Sequence, residues 1–514
     1  MPWLDRKHKK GGRMLDKQLY AGTDRIVPIL VLLVCLQAGL LFGQWGADYR
    51  LTTDSNSSFT SEPNAWCIAA CDDDVHVVWY DNRDGNWEIY YKRSDDGGII
   101  WSGDMRLTND PAGSHWPSIA VNGSNVHVVW EDERDIDLNV YYKGSTDGGN
   151  TWGSDVALTY STTPQSMPSV AVLNNYVHVV WADFTMMGNT EVYYRRSTDS
   201  GNSWESPVQI SNAEGFSGHA SIAARDSYVY ITWHDTRHGF SNSEIYYRRS
   251  TDRGATWSLE TRLTEYQNFS NVPSVAVVDS VVHVVFEDNR DGNFEMYYLH
   301  STDNGQTWAS ATRLTDDGAE SHFPSLTASG SNVHLVWQDL RDGNEEIYYK
   351  VSNDYGITWD PDVRLTDDAS VSQNASICVS GERVHVAWDD ERPGNFETYY
   401  KCNPTGNTGI ADFTDNAANT IQLTAMPNPF TKLTLIRYSI LDTRYLIHTP
   451  DIRIYDAAGC VVKEFHLESS IQDLVSEVVW DGRDDEGCQL GGGVYFVKLE
   501  AGGFSATEKI LLLR

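Results

Sequence analysis

The sequence predicts an all-β protein built from repeated short strands. Its 514 residues include 18 Trp, 27 Tyr and 40 Gly, a composition that favours many strands joined by turns over helices. A segment of the type VHVVW-x-Asp recurs with a period of about 51 residues, which lies in the range of proteins built from repeated small sheets. The length alone indicates two or three domains.

Each repeat contains four strand candidates separated by turn residues. They follow the patterns PSIAV, VHVVW, EIYYKRS and RLT. The VHVVW strand is apolar on both faces, as expected where a sheet is covered by a neighbour on each side. One repeat therefore predicts one four-stranded blade of a β-propeller. The aromatic residues of the second strand are Trp79, Trp130, Trp181, Trp233, Phe286, Trp337 and Trp388.

A turn of the pattern Ser-x-Asp-x-Gly-x-Thr-Trp follows the third strand in six repeats. The Asp carboxylate can accept backbone N–H groups, Gly can take a positive φ, and Trp can cover the edge of the blade. These residue types suit a structural hairpin better than a catalytic site. The six aspartates are Asp96, Asp147, Asp199, Asp252, Asp303 and Asp354.

Seven VHVVW-type strands but only six such turns occur in the chain. The missing turn would follow residues 397–403, while an additional RLT segment at residues 50–52 precedes the first repeat. We expect this segment to pair with the strand near Tyr399, because that pairing would remove an exposed sheet edge. The fold prediction is therefore a seven-bladed β-propeller that is closed by an N-terminal strand.

The N-terminal region predicts export. Residues 25–43 are apolar and follow several Lys and Arg residues, which is typical of a signal peptide. An uncleaved membrane anchor is the alternative, because the run is about long enough to span a bilayer. The predicted segments are a signal peptide at 1–43, the propeller at 44–403, a linker at 404–420 and a C-terminal domain at 421–514, in a protein that is secreted or attached to the outer cell surface.

The charge and the cysteines exclude some classes of function. A net charge of −33 would repel nucleic acid and anionic membrane surfaces. Six cysteines remain after residue 43, and six allow 15 pairings. A disulfide between Cys460 and Cys488 is plausible, and the other pairings stay open. The cysteine spacing fits no zinc pattern. No metal site and no cofactor are predicted.

The six Ser-x-Asp-x-Gly-x-Thr-Trp turns resemble the Asp boxes, or bacterial neuraminidase repeats, of the sialidase superfamily over residues 49–403. The resemblance implies turns at the blade periphery, away from any active site. It would also imply three substrate-binding arginines, a Tyr–Glu nucleophile pair and an acid/base Asp. The nearest match to the first arginine motif, at residues 24–28, departs from it and lies in the predicted signal peptide. No catalytic residue can be placed.

The last hundred residues are similar to a second family. Blocks such as MPNPF at 426–430, WDGRDDEG at 480–487 and GGGVYFVKL at 491–499 resemble the Ig-like C-terminal domain of flagellar hook-assembly proteins and type IX secretion sorting domains. The resemblance implies a partner in the secretion machinery. A plain β-sandwich stalk is the alternative.

Charged pairs follow the second strand of most blades, on the face expected to lie opposite the Asp boxes. A ring of Asp-x-Arg pairs could bind an anionic sugar through arginine forks, or each pair could simply brace its own blade. The third blade departs, with Asp183 but no arginine. The arginines are Arg83, Arg134, Arg237, Arg290, Arg341 and Arg392.

Departures from the repeat are better indicators of a site than the repeat itself. The third and fourth blades deviate at Phe184, Met186, Met187, His234, His238 and Phe240. The segments that lead into the first strands add His115, Trp116, His219, His322 and Phe323. Aromatic faces with polar tips suit sugar binding, although random loop variation explains them as well. The histidines of the second strands are expected to be core residues: His76, His127, His178, His283, His334 and His385.

Three functions remain open from the sequence. The first is a non-catalytic propeller that binds a glycan or an extracellular protein, which the uniform repeats and the missing arginine motif favour. The second is an exo-acting glycoside hydrolase of the sialidase type. The third is a structural or adhesive surface protein.

Overall fold

The computed structural model describes residues 45–61, 66–185, 188–405, 421–426, 430–440, 451–456, 461–466, 475–485, 487–501 and 504–513. All the regular secondary structure in these ranges consists of β-strands, so the all-β prediction is confirmed. The described part of the chain contains no helix that could cross a membrane. Two compact units, Met1–Ile410 and Ala411–Arg514, divide the chain.

Unit 1 contains seven antiparallel sheets in its described residues. Sheets 1 to 3 are formed by β2 Ser58–Phe59, β3 Ile68–Cys71, β4 Asp74–Asp81, β5 Glu88–Ser94 and β6 Met105–Arg106; by β7 Ser114–Asn122, β8 Asn125–Asp132, β9 Asn139–Ser145 and β10 Val156–Ala157; and by β11 Gln165–Leu173, β12 Tyr176–Phe184, β13 Thr190–Ser197 and β14 Val208–Gln209.

Sheets 4 to 7 repeat the same order. They are formed by β15 Ser217–Arg225, β16 Tyr228–Asp235, β17 Glu244–Ser250 and β18 Thr261–Arg262; by β19 Ser270–Val278, β20 Val281–Asp288, β21 Glu295–Ser301 and β22 Thr312–Arg313; by β23 Ser321–Ser329, β24 Asn332–Asp339, β25 Glu346–Ser352 and β26 Val363–Arg364; and by β27 Ser372–Ser380, β28 Arg383–Asp390, β29 Glu397–Asn403 and β1 Tyr49–Arg50.

The first long strand of each sheet is its inner strand. Each inner strand packs against the inner strands of the two neighbouring sheets, and β27 of sheet 7 contacts β3 of sheet 1. The second strands are buried on both faces, as their sequence predicts: Val126, Val128 and Trp130 of β8 are fully buried. The core therefore lies between the sheets, where apolar side chains from adjacent sheets meet.

The Asp boxes are hydrogen-bonded hairpins between the third and fourth strands. In sheet 3, Asp199 Oδ1 accepts the backbone N–H of Ser203 at 2.8 Å, and Asp199 Oδ2 accepts its hydroxyl at 2.6 Å. The Ser197 hydroxyl donates to Asp199 and accepts the N–H of Gly201. Because the carboxylate is occupied by its own turn, the geometry supports the structural role expected for these residues.

Each Asp box also joins two sheets. The Trp204 ring lies edge-on to Tyr142 of the preceding sheet, with centroids 4.9 Å apart. Gly201 has a φ of +86°, and a Cβ at this position would lie 2.0 Å from Tyr142 Oη, so only glycine fits. Tyr142 Oη is in turn hydrogen-bonded to His127 Nδ1 at 2.8 Å.

The histidine prediction is confirmed by this contact. Burial lowers the pKa of His127 to about 4, so the ring is neutral inside the core. The other five histidines make the same bond to a tyrosine of their own sheet: His76, His178, His283, His334 and His385.

The predicted pairing of the N-terminal RLT segment with sheet 7 is present. Tyr49 lies opposite Tyr400 and Arg50 opposite Tyr399, in antiparallel register. A further contact was not predicted: Trp45 lies edge-on to Tyr349 of sheet 6 at 4.9 Å, as an Asp-box tryptophan does in the other sheets. We call Trp45 together with residues 402–405 the split turn, because these two distant segments take the place that an Asp-box hairpin has in the other six sheets.

Unit 2 contains two antiparallel sheets that share one core. The first is formed by β30 Ile421–Met426, β31 Thr434–Ile440 and β34 Val475–Trp480; the second by β32 Asp451–Tyr455, β33 Val461–His466, β35 Gly493–Ala501 and β36 Phe504–Leu512. Trp480 is buried between Phe430 and Tyr495. Residues of both sheets, including Ile436, Ile452 and Val497, belong to the same apolar cluster.

The described cysteines are free thiols: Cys67, Cys71, Cys378, Cys402 and Cys488. Cys460 of the predicted disulfide, the predicted signal peptide and residues 406–420 of the predicted linker lie outside the described residues. No cluster of three or more His, Cys, Asp or Glu side chains is placed to hold a metal ion in the ranges given above.

Candidate ligand-binding site

The loops of unit 1 fall into two groups, one at each end of the strands. Because the strands of each sheet are antiparallel, the Asp boxes lie at one end. The loops between the second and third strands lie at the other end, beside the start of each inner strand. We call this second end the loop face. It carries the described ligand-binding candidates predicted from the sequence.

The arginines of the loop face are bound within their own sheets. Arg134 Nε and Nη2 donate to Asp132 at 2.7 and 2.6 Å, and Arg134 Nη1 donates to Asp155 at 2.8 Å. The guanidinium also lies 4.4 Å from the centroid of the Tyr141 ring. Burial opposes the charge of Arg134, but the bonds to the two carboxylates outweigh it and raise the arginine pKa. The same two-carboxylate arrangement holds Arg83, Arg237, Arg341 and Arg392.

Sheets 3 and 5 depart from this arrangement. Among the described residues, Arg290 forms an ion pair with Asp288 alone, at 2.5 Å, and its guanidinium lies 3.4 Å from the Tyr266 ring centroid and 4.2 Å from that of Tyr297. In sheet 3, which lacks the arginine, Asp183 accepts the Thr163 hydroxyl at 2.9 Å. The geometry therefore favours the bracing alternative over an anion-binding ring, since bidentate pairs of this kind fix the loop.

Each inner strand of sheets 2 to 7 begins with a β-bulge. In sheet 2 the register shifts between His115 and Ser118, and Trp116 between them has a φ of +48°. A positive φ at a bulky side chain is uncommon and costs energy, so the bulge must be held by its surroundings. The equivalent positive-φ residues of the other sheets are Met167, His219, Val272, Phe323 and Asn374.

At four of the six bulges, the backbone N–H of the positive-φ residue is bonded by a chemically variable residue of the preceding sheet's second strand, and the sequence analysis missed this role. Glu131 of sheet 2 accepts the backbone N–H of Met167 in sheet 3 at 2.5 Å, and Asp389 of sheet 7 accepts that of Thr60 in sheet 1 at 2.7 Å. The sequence feature that could have revealed this role is the single variable residue between the repeated aromatic residue and the repeated Asp. We call it the variable position: Tyr80, Glu131, Ala182, His234, Glu287, Gln338 and Asp389.

The predicted aromatic and histidine residues gather at the bulges. His322 of sheet 6 lies 5.1 Å from the Phe294 ring and 5.6 Å from the Phe323 ring. Its Nδ1 is 3.0 Å from Glu287 and its Nε2 is 3.3 Å from Glu320. Burial disfavours the charged imidazole, but the two carboxylates outweigh it and raise the pKa of His322.

The equivalent position of sheet 4 is different. The rings of His219 and His234 stack with centroids 5.0 Å apart, beside Phe216. Burial lowers the pKa of His219 to about 4, so this pair is neutral at physiological pH. Sheets 4 and 6 thus offer chemically distinct surfaces at equivalent places.

Other predicted residues lie farther out. Phe240 is 83% exposed, and His238 Nε2 is hydrogen-bonded to Tyr246 Oη at 2.7 Å. Phe184 contacts Phe216. Met186 and Met187 lie outside the described residues.

An apolar cavity of about 210 Å³ lies among the inner strands. Its walls are mostly alanine and valine, with Cys378 on sheet 7 and Trp66 on sheet 1. The lining carries no charged side chain, so polar recognition would fall to the bulges and loops around it.

The described residues of unit 1 form antiparallel sheets with an Asp box after the third strand, an arrangement like that of a β-propeller. Residues 188–387 match the BNR repeat-like domain family, which confirms the resemblance to the Asp-box repeats over that part of the chain. No curated protein sequence matches the chain significantly.

Several solved structures are similar in fold. A protein of unknown function from Dyadobacter fermentans is 15% identical, with a TM-score of 0.45 over 57% of this chain and 95% of that one. The Hadza microbial sialidase Hz136 is 16% identical, with a TM-score of 0.41 over 63% of this chain and 73% of the sialidase. The polysaccharide lyase Uly1 is 10% identical, with a TM-score of 0.49 over 70% of this chain and 99% of the lyase. Similarities at this level define no activity.

Proposed function

We propose that this protein is an exported, non-catalytic propeller that binds a carbohydrate ligand on its loop face. One observation carries the proposal: every Asp-x-Arg arginine is bound by carboxylates of its own sheet or stacked between tyrosines. Recognition of a sialic acid carboxylate would need arginine forks that are free to accept it. Half-buried aromatic rings beside polar groups, such as Phe323 and His322, instead suit the faces of sugar rings.

The carboxylates of the loop face support the same conclusion. Glycoside hydrolysis uses a pair of carboxyl groups that reach the scissile bond. Glu131 and Asp389 are buried and accept backbone amides of the adjacent sheet. Side chains with this structural task are poorly placed to attack or protonate a substrate.

The purified full-length protein tests the proposal. We expect no release of product from fluorogenic sialosides between acidic and neutral pH, and measurable binding on a glycan array. Hydrolysis that disappears in Glu131→Gln, with the fold intact by circular dichroism, would establish the hydrolase instead. Absence of binding to every glycan would favour the structural or adhesive function.

We infer that the seven sheets of unit 1 are seven blades of one ring, closed by the N-terminal strand. Support comes from the contact between β27 and β3, from the register of β1 on β29 and from the split turn. We also propose that residues 421–514 form an Ig-like sorting domain and that the leader is removed near residue 43. Deletion of residues 421–514 should leave the propeller on the periplasmic side of the outer membrane. N-terminal sequencing of the exported protein would locate the cleavage site.

A further inference from the structure

Aromatic rings are concentrated where sheets 7, 1 and 2 meet on the loop face. Consecutive rings lie 5.2 Å apart from Phe396 to Phe59, 5.9 Å from Phe59 to Trp87 and 6.0 Å from Trp87 to His115. Tyr80 lies 5.3 Å from Trp87, and Trp116 continues the row 6.4 Å from His115. We call these six residues the aromatic arc. All six are partly exposed.

The arc is a local departure from the repeat. Phe59 and Tyr80 face each other across sheet 1, where sheet 3 has Ser166 opposite Ala182 and sheet 7 has Gln373 opposite Asp389. A ring that served only the fold would be expected in every sheet, as Trp130 and its equivalents are. Sheets 5 and 6 carry a shorter row, Phe294, His322 and Phe323. What distinguishes the arc is the Phe59–Tyr80 pair, which connects Phe396 of sheet 7 to Trp87.

The charges near the arc restrict its ligand. Arg83, on the sheet 1 loop that carries Trp87, is bound to Asp81 at 2.6 Å and to Asp104 at 2.7 Å, with Asp54 at 3.9 Å. His115 has its Nε2 3.5 Å from Glu133, and burial lowers its pKa. Among the described residues around the arc, an anionic ligand would therefore meet carboxylates and an arginine that is already paired, and the carboxylates would repel it.

We propose that the aromatic arc binds a neutral polysaccharide chain lengthwise, with successive sugar rings stacked on successive side chains. This inference rests on the proposed carbohydrate binding and specifies its ligand class. A row of rings at near-equal spacing fits a repeating chain better than a single terminal sugar, because each added residue gains one more stacking contact. Neutral sugars also require no free arginine.

The chain offers a matched control. Phe294 of sheet 5 occupies the place that Trp87 has in sheet 1, since each precedes the buried glutamate that begins the third strand. Each packs on the histidine of the next sheet, His322 or His115. Phe294 lies outside the arc, so Phe294→Ala removes an equivalent aromatic side chain without touching it.

The experiment measures the affinity of the full-length protein for neutral linear oligosaccharides of increasing length, with β-1,4-glucan, xylan and mannan fragments as probes. Oligogalacturonates and sialyllactose are the anionic comparison. We expect affinity for a neutral series to rise with length and then level off. Trp87→Ala should weaken binding of the longer chains about tenfold and Phe294→Ala less than about twofold, with both variants folded by circular dichroism.

The failures are distinguishable. Equal losses in Trp87→Ala and Phe294→Ala, or preferred binding of the anionic probes, would overturn the arc and leave carbohydrate binding by the loop face standing. If the protein binds a glycan and Trp87→Ala leaves the affinity unchanged, the arc is likewise overturned while carbohydrate binding by the loop face stands. No binding of any oligosaccharide or array glycan would overturn the proposed function itself, and the arc with it.

Discussion

Asp389 makes the contact between sheets 7 and 1 dependent on pH. Its carboxylate is fully buried, accepts the backbone N–H of Thr60 at 2.7 Å and lies 3.2 Å from Asn374 Nδ2. Burial raises the pKa of Asp389 from 3.8 to about 7. Since the folded protein holds this proton more tightly than the unfolded chain, the group's stabilising contribution is complete below pH 3.8 and is lost as the pH rises through 7.

The magnitude follows from these two pKa values. Between about pH 8 and about pH 5, protonation of Asp389 should add roughly 3 kcal/mol to the free energy of unfolding. Asp389→Asn removes the titration while keeping the shape of the protonated acid. The variant should therefore be more stable than the parent at about pH 8, and this difference should shrink by roughly 3 kcal/mol at about pH 5.

The variant must be compared with the parent at each pH, because other groups titrate in the same range. Buried histidines such as His127, whose pKa is lowered to about 4, destabilise both proteins as the pH falls below about 6.5. Their contribution cancels in the difference. Urea denaturation at both pH values gives the two free energies of unfolding, and a difference that does not change with pH would refute the reasoning.

Five further substitutions, two of them comparisons, test the architecture. Trp45→Ala should lower the free energy of unfolding by about 2 kcal/mol through loss of the Tyr349 contact, as Trp101→Ala should at the equivalent Tyr400 contact. No loss in thermal denaturation would mean that Trp45 does not stabilise the contact with sheet 6. Gly201→Ala should lower the free energy of unfolding by about 3 kcal/mol, because it adds a clash with Tyr142 to the strain of positive φ. Gly188→Ala, where a Cβ meets nothing within 4 Å, should lower it by about 1 kcal/mol. Equal losses would rule out the clash. Arg134→Ala should destabilise by about 3 kcal/mol without changing glycan binding, because buried Asp132 loses its cationic partner and keeps only the bonds from Trp130 and Ser114. A specific loss of binding at full stability would identify Arg134 as a ligand-binding residue.

Features that repeat in the sequence were predictable, because each copy serves the same contact. Trp130 and His127 were correctly assigned to the core, since any residue kept in nearly every blade must satisfy neighbours that are also repeated. The pairing of residues 50–52 with the strand at Tyr399 followed from counting strands and turns. These inferences needed only local pattern and the rule that sheet edges are covered.

Features that depend on which sheets adjoin could not be predicted in the same way. Glu131 and Asp389 occupy the variable position of the repeat. Glu131 bonds the bulge of the next sheet, 36 residues onward, and Asp389 of sheet 7 bonds Thr60 of sheet 1. The aromatic arc combines Phe396 and Phe59, which are far apart in sequence. Its members look unremarkable until the two ends of the repeat are brought together.

The split turn imposes an order on the assembly of the molecule. Arg50 bonds Glu397 across a sequence separation of 347 residues, so the first strand has no partner until nearly the whole propeller has been made. Contacts of such long range are slow to form, and an unpaired strand edge invites association with other chains. Residues 45–50 therefore remain an unpaired edge until residues 397–402 have been made, because they pair with this last strand of unit 1.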